Sequence, residues 1–508
     1  MPQGILPYKY EVEKAASGLT ALGGLPTYLD LAHVAGLGDS IDRHLHIRGD
    51  QGYTDRQIIL PLVLLNLAGG DCVEDLRKLE ADQGFAKILS RVETHGLPRQ
   101  QRRALERRFR KERRRVVPSP SAVFRYLAGF CSEVEAESRP AGKAFIPQPH
   151  ENLMGLYRVN ADLLAFGQKH APTTSATLDM DATLVETTKK EALYSYKHYK
   201  AYQPLNVYWA EQELVVYSEF RDGNVPAGYE NLRVLQEALA SLPPGVEQVY
   251  LRADTASYQR EILHYCAAGE DQRFGRIEFA IGTDVTKAFK EAAAAVEESD
   301  WRPLQKEVQG QMVATGQEWA EVCYVPNWTV QKKDSPEYRF LAIREPLREQ
   351  LTLTELGTVQ PSLPFPTMAF NHKRYKITGL VTNRDLPGDE VIWWYRGRCG
   401  KSEEAHGVMK EDLAGGQLPS GAFGANAAWW AIMILAFNLN ALMKRLVLQG
   451  EWVAKRLKAI RFAFIHLPGR IIQRAGALII RLTAAHLVND ILLAARRRIL
   501  ALALAPSG

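Results

Sequence analysis

At 508 residues the chain exceeds one typical domain, and a composition of 46% hydrophobic and 24% charged residues is that of a globular protein of two to four domains. A net charge of +5 is too mild to argue alone for a polyanionic partner, so local clustering has to decide. Cys72, Cys131, Cys266, Cys323 and Cys399 show no C-x-x-C spacing, which excludes a zinc ribbon or disulfide framework and fits a reducing cytosol.

The opening "MPQGILPYKYEVEK" lacks a basic region followed by an apolar core, so no secretory signal is expected. Residues 1–150 read as helical. "DRQIILPLVLLNLAGGDCVEDLRKLEADQGFAKIL" gives a helix, a break at Gly69-Gly70 and a second helix that Asp71 is placed to cap. The densest basic run comes next, from Arg99 to Arg115, and includes Arg102, Arg103, Arg107, Arg110 and Arg114. A solvated face is the ordinary reading of such a run. Here the charges encircle most of the helix, as phosphate-backbone binding would require. In "VVPSPSAVFRYL" the prolines punctuate the chain and Ser121 is positioned to cap a new helix.

From about residue 170 the pattern becomes α/β. "TLDMDATLV", "NVYWA" and "LVVYSEF" are strand-like, "AGYENLRVLQEALASL" is an amphipathic helix, "VYLRAD" is a strand followed by a helix, and "IEFAIGT" is a further strand. That order resembles a ribonuclease H-like core spanning 170–284 and 381–445, although pattern alone leaves other α/β folds open. Residues 285–380 read as a β-rich insertion and 446–508 as mostly helical, with a hairpin in "RIIQRAGALIIRLT". The uncharged stretch Ala422 to Met443 is long enough to cross a bilayer, but Asn426, Asn438 and Asn440 interrupt it. A helix buried in a large core is therefore expected, and no membrane partner.

Two acids on one strand, Asp179 and Asp181, share a face by alternation. Asp254 ends the strand "VYLRAD", and strand ends are where open α/β sheets place active groups. Glu403 and Glu404 open the helix "SEEAHGVMKEDL", which Ser402 is placed to cap. Single carboxylates at such positions are usually caps. Three on successive elements fit a pair of Mg2+ ions held by oxygen ligands on either side of a phosphodiester.

"DMDAT", "RADTASY" and "YRGRCGKSEEAHGVMK" resemble the three acidic motifs of DDE transposases of bacterial insertion sequences, the last resembling their Tyr-Arg-Glu-Lys signature. With "KHYKAYQPLNVYW" and "KEDLAGGQLPSGAFGANAAWW", the likeness is to the insertion sequence 1380 family. The resemblance implies a ribonuclease H-like α/β fold with a mixed sheet, a β-rich insertion and helical flanks. It implies metal-dependent cleavage at terminal inverted repeats and joining of the 3′-OH ends to target DNA. The cofactor would be two Mg2+ ions, with Mn2+ able to substitute. Double-stranded transposon ends and target DNA would be the partners of a homodimer in a synaptic complex, in a bacterial cytoplasm at the nucleoid.

Carried over residue by residue, Asp181, Asp254 and Glu403 take the acidic positions and hold the metal, while Tyr395, Arg398 and Lys410 contact DNA. One departure stands out: four residues separate Arg398 from Glu403 where the family pattern has three, which leaves Glu404 as an alternative third acid. Asp179 and His406 are lesser candidates, as outer-shell neighbour and as base or ligand. "KKEALYSYKHYKAYQ" mixes lysines and tyrosines in a way that suits base stacking or plain surface packing. Trp393-Trp394 and Trp429-Trp430 read mainly as core. A non-catalytic DNA-binding descendant and a general ribonuclease H-like nuclease are the competing functions.

Overall fold

The computed structural model describes residues 18–47, 52–95, 98–103, 115–132, 143–328, 336, 338–347, 365–370, 373–474, 477–484 and 486–504. Helices Pro26–Val34, Leu37–His44 and Asp55–Ala68 precede α1 (Glu151–His170). The Asp55–Ala68 helix ends at Gly69, whose φ of +92° suits the left-handed turn. Asp71 does not cap the next helix: Asp75 accepts the Asp71 N–H, and Asp82 caps the later helix Gln83–Glu93 through the Phe85 N–H. The expected second helix is thus broken in two at Asp82. Likewise Ser119 caps Pro120–Leu127, displacing Ser121, because Pro120 suits the first helical position. Of the basic run, Arg102 and Arg103 lie on a described helical stretch, Arg102 half-buried and Arg103 exposed, while Arg107, Arg110 and Arg114 lie outside the described residues.

The core sheet is built from β1 (Ser175–Ala182), β2 (Leu205–Trp209), β3 (Leu214–Glu219), β4 (Gln248–Ala253) and β5 (Glu278–Thr283). They lie in the order β3-β2-β1-β4-β5. The β1-β2 and β2-β3 pairs are antiparallel, and β1-β4 and β4-β5 are parallel. Helices α2 (Asn231–Ser241) and α3 (Arg260–Ala268) make the two parallel crossovers. This is the mixed order of a ribonuclease H-like core.

The insertion does not fold as a separate sheet. Its strands β6 (Arg302–Val308), β7 (Gln311–Val322), β8 (Arg339–Pro346), β9 (Thr367–Phe370) and β10 (Lys373–Thr382) continue the core, since β10 pairs antiparallel with β5. On the face of this extension, Leu304, Trp319, Leu341, Ile343 and Leu380 form a second apolar cluster with Val391 and Ile392 of α4 (Gly388–Arg396). The insertion is thereby the floor on which α4 lies, and α4 leads into α5 (Lys401–Gly407).

The uncharged stretch forms α6 (Phe423–Leu442), in which every residue from Ala425 to Leu442 is buried. It packs on α1, on Asp55–Ala68 and on β3, so a helix apolar all round is covered by protein. Trp429 and Trp430 are buried within it, donating to the Ala414 carbonyl and to Ser218 Oγ. Its Asn438, with Asn160 of α1, completes the sheet edge. Asn438 accepts the Val215 N–H at 2.8 Å and donates to the Val215 carbonyl at 2.9 Å, and Asn160 of α1 reaches the Val215 and Val216 carbonyls. These side chains take the place of a neighbouring strand for β3, whose edge would otherwise be buried unpaired. Asn438→Leu should therefore lower stability by about 2–3 kcal/mol, read as an earlier urea midpoint, because the buried Val215 N–H and the Asn160 Oδ1 both lose their partner while the Val215 carbonyl keeps Asn160.

Candidate active site

The acids come together through register. In the parallel β1-β4 pair, Asp179 faces Arg252 directly, so Asp181 and Asp254, each two residues further on, emerge side by side at the strand ends. Asp179 is buried and held bidentately by Arg252, Nε to Oδ1 at 2.6 Å and Nη2 to Oδ2 at 2.7 Å. The same guanidinium donates from Nη1 to the Trp394 carbonyl of α4 at 2.8 Å and lies over the Trp394 ring. Burial pushes the Asp179 carboxyl up and Arg252 opposes that shift. Asp179 is thus sequestered in an ion pair beneath the site, in the structural place that is open to it beside an outer-shell one. Arg252 escaped the sequence reading, although the matching D-x-D and R-x-D spacings of the two strands carried the signal.

Asp254 caps a short 3-10 turn, accepting the Ala256 N–H at 3.0 Å. Glu403 projects from the first turn of α5, where its Oε2 accepts the Gly400 N–H at 2.6 Å. Ser402 is not the cap: α5 starts at Lys401 after Gly400, whose φ of +81° provides the turn, and the Ser402 hydroxyl is buried inside the helix without a partner. The extra residue between Arg398 and Glu403 is absorbed in that turn.

The three carboxylates share one field. Burial pushes Asp181 up to about 6; Arg398 opposes this, and the negative charges of Asp254 and Glu403 add to it. Arg398 Nη2 lies 3.4 Å from Asp181 Oδ2, is itself buried, and stands over the Tyr395 ring. Tyr395 is raised by burial, with Arg398 opposing. In this structure both signature residues therefore face the acids and each other. Glu404 points elsewhere, into a cavity of about 160 Å3 that it lines with Tyr208, Glu213, Lys401 and Lys444.

The Lys410 expectation of a shared α5 face changes, because the chain passes into a π-helical stretch, Val408–Asp412, which shifts the side-chain phase. Lys410 is half-buried and donates to the Leu184 carbonyl at 3.4 Å, just past Asp181. His406 is buried in α5; burial, with Lys410 adding, pushes its imidazole down to about 4. It is neutral at physiological pH.

Hard oxygen ligands in a crowded negative field suit a divalent cation, whose charge would relieve the strain on Asp181. Among the described residues, only Asp71, Cys72 and Asp75 bring three possible ligand atoms all within 4.8 Å of one another. Asp181, Asp254 and Glu403 do not meet that mutual spacing, so they stand as neighbours in one field and not as a closed cage.

This charge arrangement has two measurable outcomes. The folded state holds the Asp181 proton up to about pH 6, against 3.8 for an ordinary aspartate, so metal-free protein loses stability as pH rises through that interval. Asp181→Asn should therefore melt later than wild type in chelator at pH 8, by at most about 3 kcal/mol, with the difference vanishing towards pH 4. Arg252→Ala, in contrast, should destabilise by about 3–5 kcal/mol by leaving Asp179 buried and unpaired, and Asp179→Leu combined with Arg252→Met should recover much of it in the same urea titration.

The chain matches the family model of the transposase DDE domain group 1 over residues 9–334, a span that contains Asp181 and Asp254 and ends before Glu403. No curated protein matches it. Among solved structures it is similar to a cryo-EM piggyBac transposase synaptic complex with hairpin DNA, at 8% identity and a TM-score of 0.42, covering 94% of this chain and 80% of that one. A likeness that distant carries no further argument. With more than half of its length matched by the family model, the chain belongs to the transposase DDE domain group 1 family.

Proposed function

We propose that this protein is a DNA transposase of the insertion sequence 1380 type. It binds the terminal inverted repeats of its element, cleaves them by phosphodiester hydrolysis and joins the 3′-OH ends to target DNA. The observation that carries the reading is the convergence of Asp181, Asp254 and Glu403 from two parallel strands and a helix, where burial raises Asp181 and the charges of Asp254 and Glu403 add to it. Asp181, Asp254 and Glu403 would hold two Mg2+ ions, which supply activation of the attacking oxygen and stabilisation of the leaving oxygen.

The protein's own groups do the rest. Arg398 neutralises Asp181 until cation and substrate arrive, and then offers its guanidinium to a phosphate. Lys410, anchored near Leu184, lies within the reach of a strand that enters beside Asp181. His406, buried one turn from Glu403, supports the helix. Arg102 and Arg103 begin the basic run that would follow the duplex backbone. A homodimer holding both ends, working in a bacterial cytoplasm at the nucleoid, is part of the same proposal.

The test is cleavage of duplexes carrying the sequences that flank the gene, in Mg2+. Asp181→Ala, Asp254→Ala and Glu403→Ala should each bind DNA but cut roughly a hundredfold more slowly or worse. Glu404→Ala should cut like wild type. Undiminished cutting by the Asp254→Ala and Glu403→Ala proteins would refute the assignment, and equal cutting of unrelated duplexes would point to a general nuclease.

A further inference from the structure

Directly after Asp181 and β1 the chain makes a small ribbon of three short strands, Val185–Glu186, Lys200–Tyr202 and Leu193–Tyr194, paired in that order. Its base is anchored. Tyr202 is buried against Phe220, with ring centroids 4.7 Å apart, and a Cβ at Gly223 would collide with the Ala201 carbonyl oxygen. The loop after β3 is thus pressed against the ribbon with no space for a side chain. Its tip is closed by Ser195, whose N–H and hydroxyl both donate to the Tyr199 carbonyl, with His198 held at a φ of +65°.

This braced tip turns apolar surface outward. Tyr194 is 65% and Tyr196 68% exposed, beside the exposed Lys190 and Lys197, and Lys197 Nζ stands 5.8 Å from the centre of the Tyr196 ring. Two aromatic rings on a rigid tip contribute little to the fold and have the form of a contact surface. The ribbon also borders the acids. Lys410, in the stretch that continues α5, donates to the Leu184 carbonyl at the ribbon's entry; burial pushes its ammonium down, with Lys197 of the ribbon adding to the shift.

We propose that this ribbon is a stacking platform for unpaired DNA bases adjoining the bond that the three acids hold, with Tyr194 and Tyr196 taking base faces and Lys190 and Lys197 the neighbouring phosphates. The proposal rests on the DNA-cutting reading. Aromatic stacking accepts any base, because every base has a π face, and lysine complements the phosphates between them. A protein partner is the poorer fit, since lysine is depleted where aromatic residues form protein interfaces.

The test compares a blunt duplex with the same duplex bearing a short single-stranded 3′ overhang that contains 2-aminopurine. Both are bound by the full chain in Ca2+, so that cutting does not intervene. Wild type should prefer the overhang and quench its fluorescence. The Tyr194→Ala, Tyr196→Ala double variant should lose roughly tenfold or more in overhang affinity and the quenching, while blunt-duplex binding stays unchanged. The Tyr194→Phe, Tyr196→Phe variant should keep both, which separates stacking from a structural role of the hydroxyls. Equal affinity of wild type for the two duplexes without quenching would overturn the platform alone, as expected if the ribbon docks a protein. Failure to bind either duplex would overturn the DNA-cutting reading with it.

Discussion

The Asp179–Arg252 ion pair is the constraint on which the site depends. It joins β1 to β4 at the level just below the acids, and through the Trp394 carbonyl it reaches the helix that leads to Glu403. One buried guanidinium therefore touches all three segments that carry the acidic motifs. Arg384 also lies over the Trp394 ring and over Tyr250, so the clamp is bordered by cations and aromatic rings. A buried ion pair is weak evidence of net stability. Its worth here is register: a slip of one residue between β1 and β4 would part Asp181 from Asp254.

The larger architecture serves the same end. The inserted strands extend the sheet beyond β5 and give α4 an apolar floor, so the third acid is carried on an element supported from below. On the other flank α6 threads the middle of the molecule, and its Asn438 closes the β3 edge together with Asn160. A single apolar cluster extends from Leu25 to Ile499, so the N-terminal helices share the core that backs the sheet. Above this rigid frame the site is electrostatically unfavourable. Asp181 is raised by burial and by its neighbours, and Arg398 compensates only in part. The buried frame keeps the three acids together, and a cation would relieve their mutual repulsion.

Much of the arrangement was legible in the chain. Alternation in β1 and β4, the Asp at each strand end and the apolar run of α6 are local patterns, and local geometry turns them into strands, a shared face and a buried helix. Caps were less legible, because Ser119 and Ser121, or Gly400 and Ser402, compete within two residues and the winner depends on how the preceding turn packs. Glu403 and Glu404 are likewise adjacent and alike. A step of one residue rotates a helical side chain by about 100°, and only the packing of α5 on its neighbours sends one towards Asp181 and the other into the Tyr208 cavity.

By itself, the sequence determined the elements, their order and the residue types capable of holding a divalent cation, since these follow from periodicity and side-chain chemistry. The tertiary structure decided which acid is which. Asp179 and Asp181 are identical in type and share a face, yet Arg252, 73 residues away, takes one into a buried ion pair and leaves the other at the strand end. Pairing between distant strands is a long-range property, set by burial and register across the whole sheet, and no local pattern contains it.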